Sequence, residues 1–103
     1  MDVSERGNEV NRAKVDLETA QIAWIDLQRY FASGIALAVA EDIDLVEVAF
    51  QLSEDNAMQI QQWMAAGKFG KVSDQQARVW FETDAQVWAV VVSPWVLVQQ
   101  VQK

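Results

Sequence analysis

Residues 87–101, VWAVVVSPWVLVQQV, decide the fold class. The part before Ser93 is typical of a buried central strand, and the part after Pro94 is a second extended segment. Proline has no amide hydrogen to donate to a neighbouring strand, so Pro94 lies at a bend, a bulge or an edge. A Ser–Pro pair does not supply the positive φ of a tight hairpin turn. We therefore expect one long, bent strand rather than a hairpin.

Another buried strand is predicted upstream, at residues 35–40, IALAVA. Its large residues alternate with alanines, and a strand that is apolar on both faces is typical of a sheet covered on both sides. The segment KFGKV, residues 68–72, is either a short strand or a connection. The sequence thus predicts an α+β fold, with three to four helices packed on a small two- or three-stranded sheet.

Apolar residues spaced three and four apart predict the helices. The N-terminal stripe comprises Val10, Ala13, Leu17, Ala20, Trp24, Leu27 and Phe31. It forms one helix, or two with a break near residues 19–23, and Gly34 is a natural cap at its end.

Three further helices follow along the chain. Their apolar faces are predicted to comprise Leu45, Val48, Ala49 and Leu52; Ala57, Ile60, Trp63 and Met64; and Ala77, Trp80 and Phe81. Ser53 or Asp55 is expected to cap the second of them, which ends at Gly67. Ser73, followed by Gln76 at capping-box spacing, is expected to cap the third.

The length of 103 residues is that of a single domain. We predict a flexible tail over residues 1–9, because they are polar and lack periodicity, and one α+β domain over residues 10–103. The chain contains neither cysteine nor histidine. This composition excludes disulfides, thiolate catalysis, zinc sites of the cysteine type and every mechanism that needs an imidazole base. No cofactor is predicted.

The formal net charge is −7 at pH 7. Phosphate backbones and anionic lipids repel such a chain, so we expect neither nucleic-acid binding nor membrane binding. The longest apolar run, from Val87 to Val98, has twelve residues, whereas spanning a bilayer takes about 20. The polar N-terminus is not a secretory signal. A cytoplasmic protein is the expectation, and the lack of cysteine fits a reducing compartment.

An acidic segment over residues 41–55 is the strongest candidate for chemistry. Its candidate metal ligands are Glu41, Asp42, Asp44 and Glu47. Oxygen ligands alone suit Mg²⁺, Mn²⁺ or Ca²⁺. The competing interpretation is that these residues cap a helix and form its solvated face, because acidic residues favour helix N-termini and runs of charge usually face water. The second interpretation is favoured.

Self-association is predicted because the sequence is rich in apolar residues but offers no obvious active-site chemistry. The C-terminal segment is a plausible sheet edge for pairing with another copy, with Trp95 and Leu97 as candidate interaction residues. Four of the five tryptophans fall on positions predicted to face inward, and Trp95 is the exception. A homo-oligomer is therefore expected, with another protein as an alternative partner.

Several segments together resemble a bacterial family known as domain-of-unknown-function family 2288. They are LETAQIAWIDLQRYFASG, AEDIDLVEVA with the following QQWMAAGK, and VWAVVVSPWVLVQQ, which together span residues 17–100. The most specific parts are DLQRYFASG, residues 26–34, and PWVLVQ, residues 94–99. The family's proline at the position of Ala23 implies that a helix starts there. The resemblance implies a small bacterial cytoplasmic protein and no catalytic residues.

Two hypotheses for the function follow. The first is a non-catalytic binding or interaction protein that self-associates. The alternative is a carboxylate-based divalent-metal-binding protein or enzyme centred on residues 41–55. The first is favoured, because nothing in the sequence pairs a nucleophile with a base.

Overall fold

Five strands form one sheet in the part of the chain that the computed structural model describes, residues 19–101. They are β1 (Ala20–Ala23), β2 (Ala36–Val39), β3 (Phe69–Lys71), β4 (Gln86–Val92) and β5 (Trp95–Gln100). Their order across the sheet is β1-β4-β5-β2-β3. Strands β2 and β5 are parallel, and the other neighbours are antiparallel. The prediction of two or three strands was therefore wrong, because the segment expected to be one bent strand forms both β4 and β5, and Ala20–Ala23 is a strand within a stretch assigned to the helical stripe. Strand β3 lies in the segment 68–72, for which a short strand was one of the two alternatives.

The segment around Ser93 and Pro94 is a hairpin turn between β4 and β5. Val92 and Trp95 are cross-strand partners, and the Ser93–Pro94 peptide bond is cis. The expected single bent strand was wrong. The turn reverses the chain although neither Ser93 nor Pro94 has a positive φ.

Four helices of nine residues each complete the described fold: α1 (Trp24–Ala32), α2 (Leu45–Ser53), α3 (Ala57–Ala65) and α4 (Asp74–Glu82). The α+β class and the helix count are as predicted. No helix within residues 19–101 has the length and apolar character needed to cross a bilayer. The predicted tail and the stripe residues Val10, Ala13 and Leu17 lie outside the described residues.

The break predicted near residues 19–23 is confirmed. Ala20–Ala23 is a strand that pairs with β4, and Ala23 is the extended N-cap residue of α1. At the other end of α1, Gly34 has a φ of 77° and its amide donates to the carbonyl of Phe31. A glycine favours this left-handed conformation, so the predicted cap is also confirmed.

The other helix caps divide into one confirmed and one corrected prediction. The Ser73 hydroxyl accepts a hydrogen bond from the amide of Gln76 at 3.0 Å, as its spacing predicts. The cap of α3 is Asn56, whose side chain accepts from the amide of Gln59, and neither Ser53 nor Asp55 has this role. Ser53 instead donates to the carbonyl of Phe50 within α2. The cap of α3 thus lies one residue after Asp55, and the helix begins at Ala57.

Helices cover both faces of the sheet. Helices α1 and α4 bury Trp24, Leu27, Ala77 and Trp80 against one face, which we call the first core. Helix α2 buries Leu45, Val48 and Ala49 against the other face, the second core, where α3 contributes only half-buried residues. Successive residues of β4 alternate between the two, with Ala89 in the first core and Val90 in the second. This alternation explains why the central residues of β2, β4 and β5 are apolar on both faces of the sheet.

One residue of α4 departs from its predicted orientation. Phe81 was expected to face inward, but 53% of its surface is exposed. Ala77 and Trp80 are the α4 residues that meet the sheet. Phe81 follows Trp80 by about 100° around the helix and lies instead on the outer groove between α4 and α1, beside Phe31.

Candidate functional site

Two acidic residues of the candidate metal set serve the local structure of α2. Asp44 is the N-cap of this helix, and its Oδ1 accepts a hydrogen bond from the amide of Val46 at 3.0 Å. Glu47, one turn further, accepts from the side-chain amide of Gln51 at 2.8 Å. An acidic residue in the first turn of a helix is stabilised by the free amides and by the helix dipole. Helix formation therefore accounts for both positions.

The other two acidic residues lie in the loop before α2. Asp42 forms an ion pair with Lys68, and both side chains remain partly exposed, at 59% and 37% respectively. The pKa of Asp42 is lowered below its ordinary value of 3.8, chiefly by the hydrogen bond from Lys68. Desolvation of the carboxyl acts in the opposite direction, and the positive charge of Lys68 lowers the pKa further. Glu41 lines a shallow cleft next to this pair.

The four carboxylates do not converge on one point. Within residues 19–101, no three acidic side chains are grouped so that they could hold a metal ion. The same range contains no buried polar or charged residue. A general acid or base usually has a pKa shifted by burial in a cleft. The one shifted carboxyl in this range, that of Asp42, is an exposed partner of a lysine.

Gln99 fixes the acidic loop, and the sequence analysis missed this role. Its side-chain amide donates to the carbonyls of Ala40 and Ile43, both at 2.7 Å. The loop over residues 40–43 is thereby held against the end of β5. A glutamine at the end of an apolar strand carries no local signal for such a contact, because its acceptors are 56 and 59 residues away.

The candidate interaction residues of β5 have different surroundings. Leu97 has no exposed surface and lies in the second core, so its side chain offers no contact outside the folded chain. Trp95 is half-buried and packs against the same core. Strand β5 lies between β4 and β2, so the expectation that it forms a sheet edge was wrong. The edges are β1 and β3.

Two adjoining clefts flank Trp80, with volumes of about 300 and 470 Å³. Trp80 and Gln100 line both of them. The indole N–H of Trp80 is buried and has no acceptor among the described residues, and the same holds for Trp24. Neither cleft contains an aligned nucleophile and base.

Helix α3 carries a surface unlike that of the other described helices. None of its residues is buried, and the chain has no charged residue between Asp55 and Lys68. We call the outward stripe the α3 surface; it comprises Met58, Gln61, Gln62 and Ala65. Met58 is 73% exposed, and Met64 on the flank of the stripe is 53% exposed. Met64 was expected to face inward with Ala57, and both are exposed.

The half-buried Ile60 and Trp63 hold α3 to the second core. The remaining apolar residues of α3 face water. A lack of charge over twelve consecutive residues, 56–67, was the signal in the sequence that could have identified this surface. The other three helices each contain at least one charged residue.

Three further apolar side chains are exposed at separate places. Ile25 lies on the first turn of α1 at 56%, Val79 on α4 at 45%, and Val91 on β4 at 61%. Single exposed apolar side chains are common in folded proteins. Among the described helices, α3 is the only one that combines exposed apolar side chains with a lack of charged residues.

Comparison with known proteins gives a family and a fold. A family model described as "Protein of unknown function (DUF2288)" matches residues 10–100. The NMR solution structure of PA1075 from Pseudomonas aeruginosa is similar, with a TM-score of 0.81 and 40% sequence identity over 91% of this chain and 87% of that chain. No curated protein sequence matches. The resemblance predicted from residues 17–100 is confirmed.

Proposed function

The chain belongs to the DUF2288 family, and on that premise we propose that it is a small, non-catalytic cytoplasmic protein that self-associates. Its binding partner in this proposal is a second copy of the same chain. The residue composition supports the non-catalytic role, and the α3 surface supports self-association.

The composition and the carboxylates support a non-catalytic role. Imidazole and thiol groups are absent from the whole sequence. Asp42, Asp44 and Glu47 each have a structural partner in the loop or in α2. A catalytic carboxylate needs an environment that tunes its pKa to the reaction, and the exposed ion pair of Asp42 with Lys68 tunes it away from neutrality.

The α3 surface is the observation that carries the proposal of self-association. Interface centres are depleted in charged residues and enriched in methionine and aromatic residues. The α3 surface shares the lack of charge, and the exposed methionines are Met58 on the surface and Met64 on its flank. Methionine also adapts its shape to a facing surface more readily than branched residues do.

Sedimentation velocity tests self-association directly. We expect the mean sedimentation coefficient to rise with protein concentration between about 10 μM and about 1 mM, the range in which weak interfaces form. A chain that sediments as a monomer throughout this range would contradict the proposal. Size-exclusion chromatography with light scattering at both ends of the range gives an independent mass.

A further inference from the structure

We infer that two copies associate through their α3 surfaces, packed antiparallel across a two-fold axis, so that the N-terminal end of each helix faces the C-terminal end of the other. This inference rests on the proposed self-association and adds its location and geometry. Charge, side-chain chemistry and the ends of the helix each support it.

The distribution of charge favours α3 as the point of contact. The formal net charge of −7 makes two copies repel one another at most orientations. The α3 surface lets them approach without bringing like charges together, because residues 56–67 carry none. Charged residues lie on every other described helix, including Asp26 on α1, Glu47 on α2 and Glu82 on α4.

The side chains on the α3 surface are complementary to themselves. A two-fold contact places the same patch on both sides, so each residue type must suit its own kind. Glutamine amides both donate and accept hydrogen bonds, so Gln61 and Gln62 of one copy can pair with those of the other. Met58 supplies an adaptable apolar contact, and Ala65 is small enough for close approach of the helices.

The ends of α3 select the antiparallel arrangement. Asp55 precedes the helix and Lys68 follows it. Lys68 also pairs with Asp42 of its own chain, so the C-terminal end of α3 has no net charge from these two residues, and the acidic Asp55 marks the N-terminal end. Antiparallel packing brings Asp55 of one copy towards Lys68 of the second copy at both ends of the contact. It also opposes the two helix dipoles, whereas parallel packing would place like charges and like dipole ends together.

The length of α3 sets the expected strength. Nine residues of helix span about 13 Å. Such a pair covers less than a standard interface, which buries about 1,600 Å² in total. We therefore expect a weak dimer with a dissociation constant in the micromolar range or above.

A pair of matched variants tests the location. Met58→Glu places a carboxylate within the contact, and Ile25→Glu places one at the same position of another helix, since both residues are second in a nine-residue helix and more than half exposed. Glutamate in the first turn is compatible with both helices. We expect Met58→Glu to raise the dissociation constant at least tenfold and Ile25→Glu to leave it within about twofold, because like charges across an interface are costly.

Cysteine cross-linking tests the antiparallel geometry, since the native chain has no cysteine. Met58→Cys and Ala65→Cys are prepared separately, then oxidised alone and as an equimolar mixture. In the antiparallel pair, position 58 faces position 65 of the other copy, so the mixture is expected to give a disulfide-linked heterodimer. Each variant alone should cross-link much less, because its two sulfurs lie near opposite ends of the contact.

The outcomes separate the inference from the proposed function. A wild-type chain that is monomeric at all concentrations overturns both. A wild-type dimer that persists in Met58→Glu, or is lost in Ile25→Glu alone, leaves self-association standing and overturns the location on α3. A dimer disrupted by Met58→Glu in which Met58→Cys cross-links efficiently with itself overturns the antiparallel geometry. Circular dichroism of each variant checks that it is folded.

Discussion

The indole rings of Trp24 and Trp80 lie with their centroids 5.0 Å apart and their planes at 55°. Trp24 is the first residue of α1 and Trp80 lies in the last turns of α4. Both are almost fully buried, at 1% and 4% exposure. Their contact joins the two helices over the first core, where Phe31 adds an edge-on contact to Trp24 at 6.0 Å.

Replacing Trp80 should therefore affect stability strongly. We expect Trp80→Ala to lower the free energy of unfolding by about 3–5 kcal/mol, a large part of the total of about 5–15 kcal/mol for a typical domain. Trp80→Phe should cost at least about 1 kcal/mol less, because it keeps an aromatic ring and removes an N–H without an acceptor. Urea unfolding measures both. The control is Trp63→Ala, because Trp63 is only half-buried. If Trp63→Ala lowered the free energy of unfolding as much as Trp80→Ala does, the assignment of the core would be contradicted.

The two hydrogen bonds from Gln99 should stabilise the acidic loop. Gln99→Glu removes both donors and places a carboxylate against the carbonyls of Ala40 and Ile43. We expect a loss of about 2–4 kcal/mol in the free energy of unfolding. The adjacent Gln100 is exposed, so Gln100→Glu introduces the same charge and should change stability by less than about 0.5 kcal/mol. Equal effects of the two substitutions in urea unfolding would show that charge, not hydrogen bonding, is responsible.

The Ser73 cap offers a test of one local prediction. Ser73→Ala removes the acceptor for the amide of Gln76 and should lower the free energy of unfolding by about 1 kcal/mol. Ser53→Ala, at the end of α2, removes a hydroxyl that does not cap a helix, so its effect should be under about 0.5 kcal/mol. Thermal unfolding of the two variants makes the comparison. A larger loss for Ser53→Ala would mean that this residue has a role beyond its bond to Phe50.

The ion pair of Asp42 with Lys68 predicts a pH dependence. Because the folded-state pKa of Asp42 is lowered, the pair stabilises the folded chain above the ordinary pKa of 3.8 and loses this effect as the pH falls through the lower folded value. The substitution Lys68→Met should shift the pKa of Asp42 back towards its ordinary value. An NMR titration of the Asp42 carboxyl measures this shift. Lys71→Met is the control that removes a lysine without removing this hydrogen bond. An unchanged pKa in Lys68→Met would refute the pairing.

Divalent ions provide the test of the metal-binding alternative. Because Asp42, Asp44 and Glu47 have separate partners, we expect Mg²⁺, Mn²⁺ or Ca²⁺ at millimolar concentration to leave the melting temperature unchanged. A site at an ion concentration about 100 times its dissociation constant would add about 2.7 kcal/mol. For a domain of this size such a gain raises the melting temperature by more than about 8 °C. A rise of that size, reversed by a chelator, would restore the acidic segment as a candidate site.

The sequence by itself determined the features that depend on neighbouring residues. The Ser73 cap and the apolar strand within residues 35–40 follow from spacing and from capping chemistry within about four residues. The start of α1 was left open by the spacing and was implied by the family resemblance. The lack of histidine and cysteine likewise excluded whole classes of mechanism. These conclusions need no knowledge of distant contacts.

Tertiary structure alone decided the strand count, the hairpin at Ser93–Pro94 and the exposure of the α3 surface. Strand β1 is recognisable only through its partner β4, and the pairing with β2 decided that residues 69–71 are a strand rather than a connection. Met64 fits the predicted apolar face of α3 as well as Ile60 does, and only the position of α3 against the sheet leaves it in water. The physical reason is that pairing and burial depend on residues far apart in the chain, whereas propensity and capping depend on those close by.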